Sequence, residues 1–221
     1  MLDTAQSVAH RRGVTGVHDI VDRPAVAAAY RRLDRADALN LRVRLNYTVE
    51  HLDAVEEAGL VTNHGSEFVR TGGVKVFADG SIGSRTARLA APYADGPGES
   101  ADAGDGPATV DDDAASDRGQ WVTPLEDLAA IAERVVEGDR QLVVHAIGDE
   151  AIGAVLDAFD ATDDPAGRHR VEHAELATDE QIARFADLGA VASLQPNFHK
   201  WAGEGGLYER RLGAERTRRS N

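Results

Sequence analysis

Residues 141–160 read QLVVHAIGDEAIGAVLDAFD, from Gln141 to Asp160. Gln141–His145 is a short apolar strand, Gly148-Asp149 is a turn, and Asp149–Asp160 has helical spacing of apolar residues. That unit of one strand and one helix recurs on both sides. Upstream, Gly13–Ile20 reads as a strand and Arg23–Asp37 as a helix with Pro24 near its start. Leu41–Val49 alternates with period two and reads as a strand, followed by a short helix at His51–Ala58. Val74–Ala78 is a strand ending in Asp79-Gly80-Ser81, and Pro124–Glu137 is a helix with Thr123 as its expected N-cap. Downstream, Arg168–His173 is a strand, Asp179–Leu188 a helix capped by Thr178, and Ala190–Leu194 a strand. Strands alternating with helices at this spacing mean parallel β/α units. The fold class is therefore α/β, with about six parallel β/α units in succession.

Composition sets the setting. The chain has 221 residues, 38 acidic and 24 basic, with a formal charge of −14. That charge argues against non-specific nucleic-acid binding. No run of 18 apolar residues occurs, so no spanning helix is expected, and the N-terminal residues lack the apolar core of a signal peptide. A cytoplasmic location follows as an expectation. There is no cysteine, so disulfides and thiolate metal sites are excluded. Only Lys75 and Lys200 are lysines, against 22 arginines. Scarce lysine with abundant Asp points to a high-salt cytoplasm, where salt screens self-repulsion; an ordinary acidic protein of a GC-rich bacterium is the alternative. Residues 95–117 hold eight acidic residues and no basic ones. This stretch reads as an acidic loop insertion at about 93–120 within a single domain spanning 1–221.

Three strand ends carry the chemistry. Lys75 lies inside an apolar strand, His145 ends QLVVH, and His173 ends RHRVEH. In a β/α barrel the C-terminal strand ends converge on one mouth, where active sites lie. A single histidine at a strand end is commonly a hydrogen-bonded structural residue; two at equivalent places on neighbouring strands make metal ligation an equal alternative. A buried lysine is costly unless paired or modified. In a chain that uses arginine nearly everywhere, Lys75 suggests a need for a primary amine.

Four blocks make a family resemblance specific: Gly73–Ala87 (GVKVFADGSIGSRTA), Val144–Asp149 (VHAIGD), Arg168–Ala174 (RHRVEHA) and Ser193–Pro196 (SLQP). Taken in this order, they resemble the amidohydrolase superfamily, and within it the family 3 members like N-substituted formamide deformylase. The resemblance implies a TIM-type (β/α) barrel, incomplete here at about six of eight β/α units, and a metal-dependent hydrolase of C–N bonds of amide or N-formyl type, with metal-activated water as nucleophile. It implies one or two divalent metals, usually zinc, held by Lys75 as a carboxylated bridging ligand and by His145 and His173. Asp79, Ser81, Ser84 and Arg85 are then expected to line the mouth, with Gln195 facing substrate. Asp149 and Glu172 are expected behind the ligands, with a helix N-cap as the other role for Asp149. The partner is a small-molecule amide-type substrate, and a homodimer or a complementing chain is expected beside it.

Two parts of the family pattern are missing from the chain. No His-x-His pair stands on the first strand, where His10 and His18 lie eight apart, and no aspartate-bearing last strand follows. The chain thus reads as the middle of such a barrel. A fragment of a longer enzyme and a non-catalytic binding or regulatory protein are the two expectations.

Overall fold

The computed structural model describes residues 2–96 and 117–220. The acidic insertion expected at about 93–120 lies for the most part outside them. In chain order the elements are α1 (Leu2–Arg11), β1 (Gly16–Val21), α2 (Pro24–Arg35), β2 (Arg42–Thr48), α3 (Leu52–Glu57), β3 (Val69–Phe77), α4 (Leu125–Glu137), β4 (Gln141–Ala146), α5 (Asp149–Ala161), β5 (Arg170–His173), α6 (Asp179–Asp187), β6 (Val191–Ser193), α7 (Leu207–Leu212) and α8 (Ala214–Thr217). The strand order is β1-β2-β3-β4-β5-β6, one sheet in sequence order. The pairs β1–β2, β2–β3, β4–β5 and β5–β6 are parallel. This is the incomplete α/β barrel topology expected, with six of the eight strands of a TIM-type barrel.

The residues form two compact units: 1–75 with 137–141, and 76–136 with 142–221. In the first, Val21, Val43, Leu45, Tyr47 and Val69 on the strands pack with Ala27 and Val55 on the helices. Alternation along β2 sends Val43, Leu45 and Tyr47 to the helix side, and burying such side chains stabilises by about 1.5–3 kcal/mol each. The sheet pairing shifts register between Leu45 and Tyr47. Asn46 sits at that shift, and its Oδ1 accepts the Gly73 N–H at 3.0 Å. A Cβ on Gly72 would collide with the Asn46 side chain, so a glycine is needed there. Downstream of the shift, Thr48 aligns with Lys75.

In the second unit, β4 is almost wholly buried and α5 packs Ala151, Ile152, Val155, Leu156 and Phe159 inward. α4 buries Leu128, Ala132 and Val135, spaced four and three residues apart as one helical face requires. Thr178 caps α6 as expected, in a capping box with Gln181. Thr123 does something else: α4 starts two residues later, and the Thr123 hydroxyl donates to the Phe77 carbonyl at 2.8 Å. Two features had no signal in the strand–helix pattern. β3 begins five residues before the expected Val74, and residues 196–217 form a 3-10 turn and two short helices that bring Tyr208 and Leu212 into a core with Ile82, Leu89, Tyr93, Ile147 and Leu176.

Candidate metal centre

Each expected ligand stands at a strand's C-terminal end. In the first unit Lys75 lies two residues before the end of β3 and is 3% exposed. A charged amine is disfavoured at such a depth, so the position suits a modified or ion-paired lysine.

In the second unit His145 is the last residue but one of β4 and His173 ends β5. Their rings meet edge to face with centroids 4.5 Å apart. His145 Nε2 lies 2.8 Å from the Gly80 carbonyl oxygen. A carbonyl only accepts, so Nε2 carries the proton, and the neutral ring has its lone pair on Nδ1. His173 is held differently. Its Nδ1 lies 2.6 Å from Gln195 Oε1. His173 and Ala174 have φ of 77° and 48°, left-handed values that non-glycine residues adopt at a cost. Two consecutive residues in this region turn the chain sharply at the strand end. Such strain gathers at functional sites.

Asp79, expected at the mouth, is 1% exposed. Its Oδ2 accepts the Arg88 and Gly148 N–H groups at 2.9 and 2.8 Å, and its Oδ1 accepts that of Ile147 at 3.0 Å. His145 Nε2 is 3.5 Å from Oδ1. The carboxylate thus ties the end of β3 to the β4–α5 turn and braces His145. Burial pushes its pKa up to about 7, with Glu175 adding to the rise and the N–H groups of Gly148, Arg88 and Ile147 pulling down. A Cβ on Gly148 would run into the Arg88 backbone carbonyl, and one on Gly80 into Thr86. The glycines of the Asp-Gly and Gly-Asp pairs are therefore packing requirements of this brace.

The remaining expected residues divide. Ser81 and Ser84 are exposed, with their hydroxyls 2.8 Å apart and Ser84 bonded on to Thr86. The Arg85 guanidinium pairs with Asp95 and lies over the Tyr93 ring. Gln195 spends its amide inside the protein, on His173 and on the Ser193 carbonyl. Glu172 pairs with Arg170 at 2.9 Å. Asp149 is the first residue of α5 and not its cap, which is Gly148; its Oδ1 takes the Ala90 N–H at 2.8 Å. His169 is structural: it is 3% exposed and its Nδ1 accepts the Leu142 N–H.

Glu175 had not been singled out. It is 2% exposed, and its Oε2 accepts the Tyr208 hydroxyl at 2.7 Å while Oε1 is buried with no hydrogen-bond partner among the described residues. Burial raises its pKa. The available signal was an acidic residue inside the small apolar run Ala174–Ala177.

Among the described residues no three His, Asp or Glu side chains gather as a metal group. The donor chemistry of the two histidines fits a divalent ion, since imidazole nitrogen is an ordinary ligand for one and each ring is oriented by an oxygen at one of its nitrogens.

A model of an amidohydrolase family matches residues 1–221. A putative amidohydrolase, YtcJ, of Bacillus subtilis is 30% identical over 190 residues, which is 85% of this chain and 32% of that protein. N-substituted formamide deformylase of Arthrobacter pascens is 25% identical over 209 residues, 87% of this chain and 35% of that one. The chain thus spans about a third of the length of these curated relatives. Among solved structures, an uncharacterized metal-dependent hydrolase from Pyrococcus furiosus superposes with a TM-score of 0.79 at 30% identity, over 98% of this chain and 41% of the other.

Proposed function

The chain belongs to the amidohydrolase family, and on that premise we propose that it is a metal-dependent hydrolase, or the strand-bearing part of one, acting on C–N bonds of amide or N-formyl type. The observation that carries the reading is the pair His145 and His173, on neighbouring strand ends with rings 4.5 Å apart and each with one nitrogen committed to an oxygen acceptor. In this reading His145 Nδ1 and His173 Nε2 hold the ion. Lys75, carboxylated, is the third ligand; its support is its burial and its place in the family pattern. Zinc suits imidazole and carbamate oxygen. When bound, the ion supplies Lewis acidity to water and to a substrate carbonyl.

The protein's own part is orientation. The Gly80 carbonyl orients the His145 ring through Nε2, and Asp79 fixes the backbone that presents Gly80 and Ile147. Ser81 and Ser84, exposed after β3, offer hydroxyls to a small amide-type substrate. The relatives named for formamide and amide chemistry motivate the bond class. A single domain over 1–221 belongs to the same proposal.

The test is metal content by mass spectrometry of the chain purified in high salt with added zinc, followed by hydrolysis of a panel of N-formyl and N-acyl amines. The expected result is stoichiometric zinc that is lost in the double variant His145→Ala with His173→Ala. A folded wild-type chain without zinc, or a double variant that keeps it, overturns the reading.

A further inference from the structure

His173 is the more exposed to misorientation of the two histidines, because its backbone has left the strand region and cannot fix the ring alone. The ring has His145, Phe198 and Gln195 among its neighbours. His145 meets it edge-on, Phe198 lies parallel to it with planes 9° apart at a centroid distance of 6.1 Å, and Gln195 Oε1 stands 2.6 Å from Nδ1. Phe198 and His145 limit the tilt of the ring, but neither can choose which nitrogen bears the proton. Gln195 can.

The orientation of the Gln195 amide is decided by a second bond. Its Nε2 lies 3.3 Å from the Ser193 carbonyl oxygen. An amide turned the other way would set Oε1 against that carbonyl, oxygen against oxygen. The NH2 therefore faces Ser193, the oxygen faces His173, and His173 Nδ1 must be the donor. Local sequence holds Gln195 in place. It precedes Pro196, which keeps it out of the helical region at φ −116°, ψ 82°, and it is the cap from which the 3-10 turn of Pro196–Trp201 begins.

We propose that Gln195 is a positioning residue that holds His173 in the Nδ1–H tautomer and so presents Nε2 as the ligating nitrogen. The value of that tautomer rests on the metal reading above; its existence does not. The amide spends both of its ends on Ser193 and His173, so its role is exerted through His173 and not on substrate.

The experiment is long-range 1H–15N correlation of the metal-free chain labelled at histidine, at a pH where imidazoles are neutral. Wild type is expected to show His173 as Nδ1–H. Gln195→Leu, which removes the acceptor, is expected to shift His173 toward a mixture of tautomers, and Gln195→Glu, which restores an acceptor, to recover the Nδ1–H pattern. Zinc affinity by calorimetry is expected to fall about 10-fold in Gln195→Leu and less in Gln195→Glu. An Nε2–H His173 in wild type, a measurement that needs no variant, overturns the proposal, as does an unchanged tautomer in folded Gln195→Leu. A wild-type chain with Nδ1–H His173 that takes up no zinc supports the Gln195 assignment and overturns the metal reading.

Discussion

The ends of β4 and β5 deliver the same side chain by different means. At β4, His145 stays in regular strand geometry and its acceptor is a backbone carbonyl, braced by a buried carboxylate that takes three backbone N–H groups. At β5, His173 sits at φ 77° and its acceptor is a side chain from beyond β6. The first is built from backbone and glycine, the second from side chains around a strained turn. Backbone frames cannot yield, whereas side chains can repack. Damage to the first should therefore cost more stability, and damage to the second should cost mainly orientation.

The sharpest test is Gly148→Ala. Its φ of −73° is ordinary, so the whole effect comes from the Cβ meeting the Arg88 backbone. A loss of about 4 kcal/mol or failure to fold is expected by urea denaturation. A near-neutral result breaks the comparison on the β4 side. Asp79→Ala leaves three backbone donors buried without acceptors and is expected to cost about 3 kcal/mol, measured at pH 5 where the native carboxyl is neutral.

The same carboxyl sets a pH dependence. Its folded pKa of about 7 lies above the ordinary 3.8, so between those values the folded state keeps a proton that the unfolded chain has lost. Stability of the metal-free chain should fall as pH rises through that window and level off above about 7. Asp79→Asn should flatten most of the slope, the remainder belonging to Glu175, whose pKa is raised in the same direction. An unchanged slope would detach Asp79 from the effect.

On the β5 side, Tyr208→Phe removes the hydroxyl that donates to Glu175 Oε2 and is expected to cost about 2 kcal/mol in the same denaturation measurement. A cost above that of Asp79→Ala would invert the comparison. The smallest change is Thr178→Ala at the α6 cap, at about 1 kcal/mol, which calibrates an ordinary local loss outside both strand ends.

Much of the β/α order was legible because apolar runs of strand length alternate with helical periods, and Gly-Asp or Asp-Gly pairs punctuate them. Lys75, His145 and His173 were found at strand ends for the same reason. The extension of β3 was hidden because Gly72-Gly73 has poor strand propensity; Asn46, across the sheet, supplies a bond to the Gly73 N–H. The helical tail was hidden because its apolar residues are few, and Tyr208 and Leu212 are buried by a distant core. Asp79 read as a residue of the mouth, and its carboxyl meets the N–H groups of Arg88, Ile147 and Gly148; Gln195 read as facing substrate, and its amide meets His173 and the nearby Ser193 carbonyl.

By itself the sequence determined the parallel β/α topology, the acidic character and the strand ends that bear lysine and histidine, because these depend on local periodicity and residue chemistry. Only the tertiary structure decided which oxygen each imidazole meets, that Asp79 is a buried brace and that Glu175 is a buried acid. Those properties depend on a hydrogen-bond partner brought within 3 Å from another strand or loop, and on exclusion of water, and neither is encoded in any short stretch of chain.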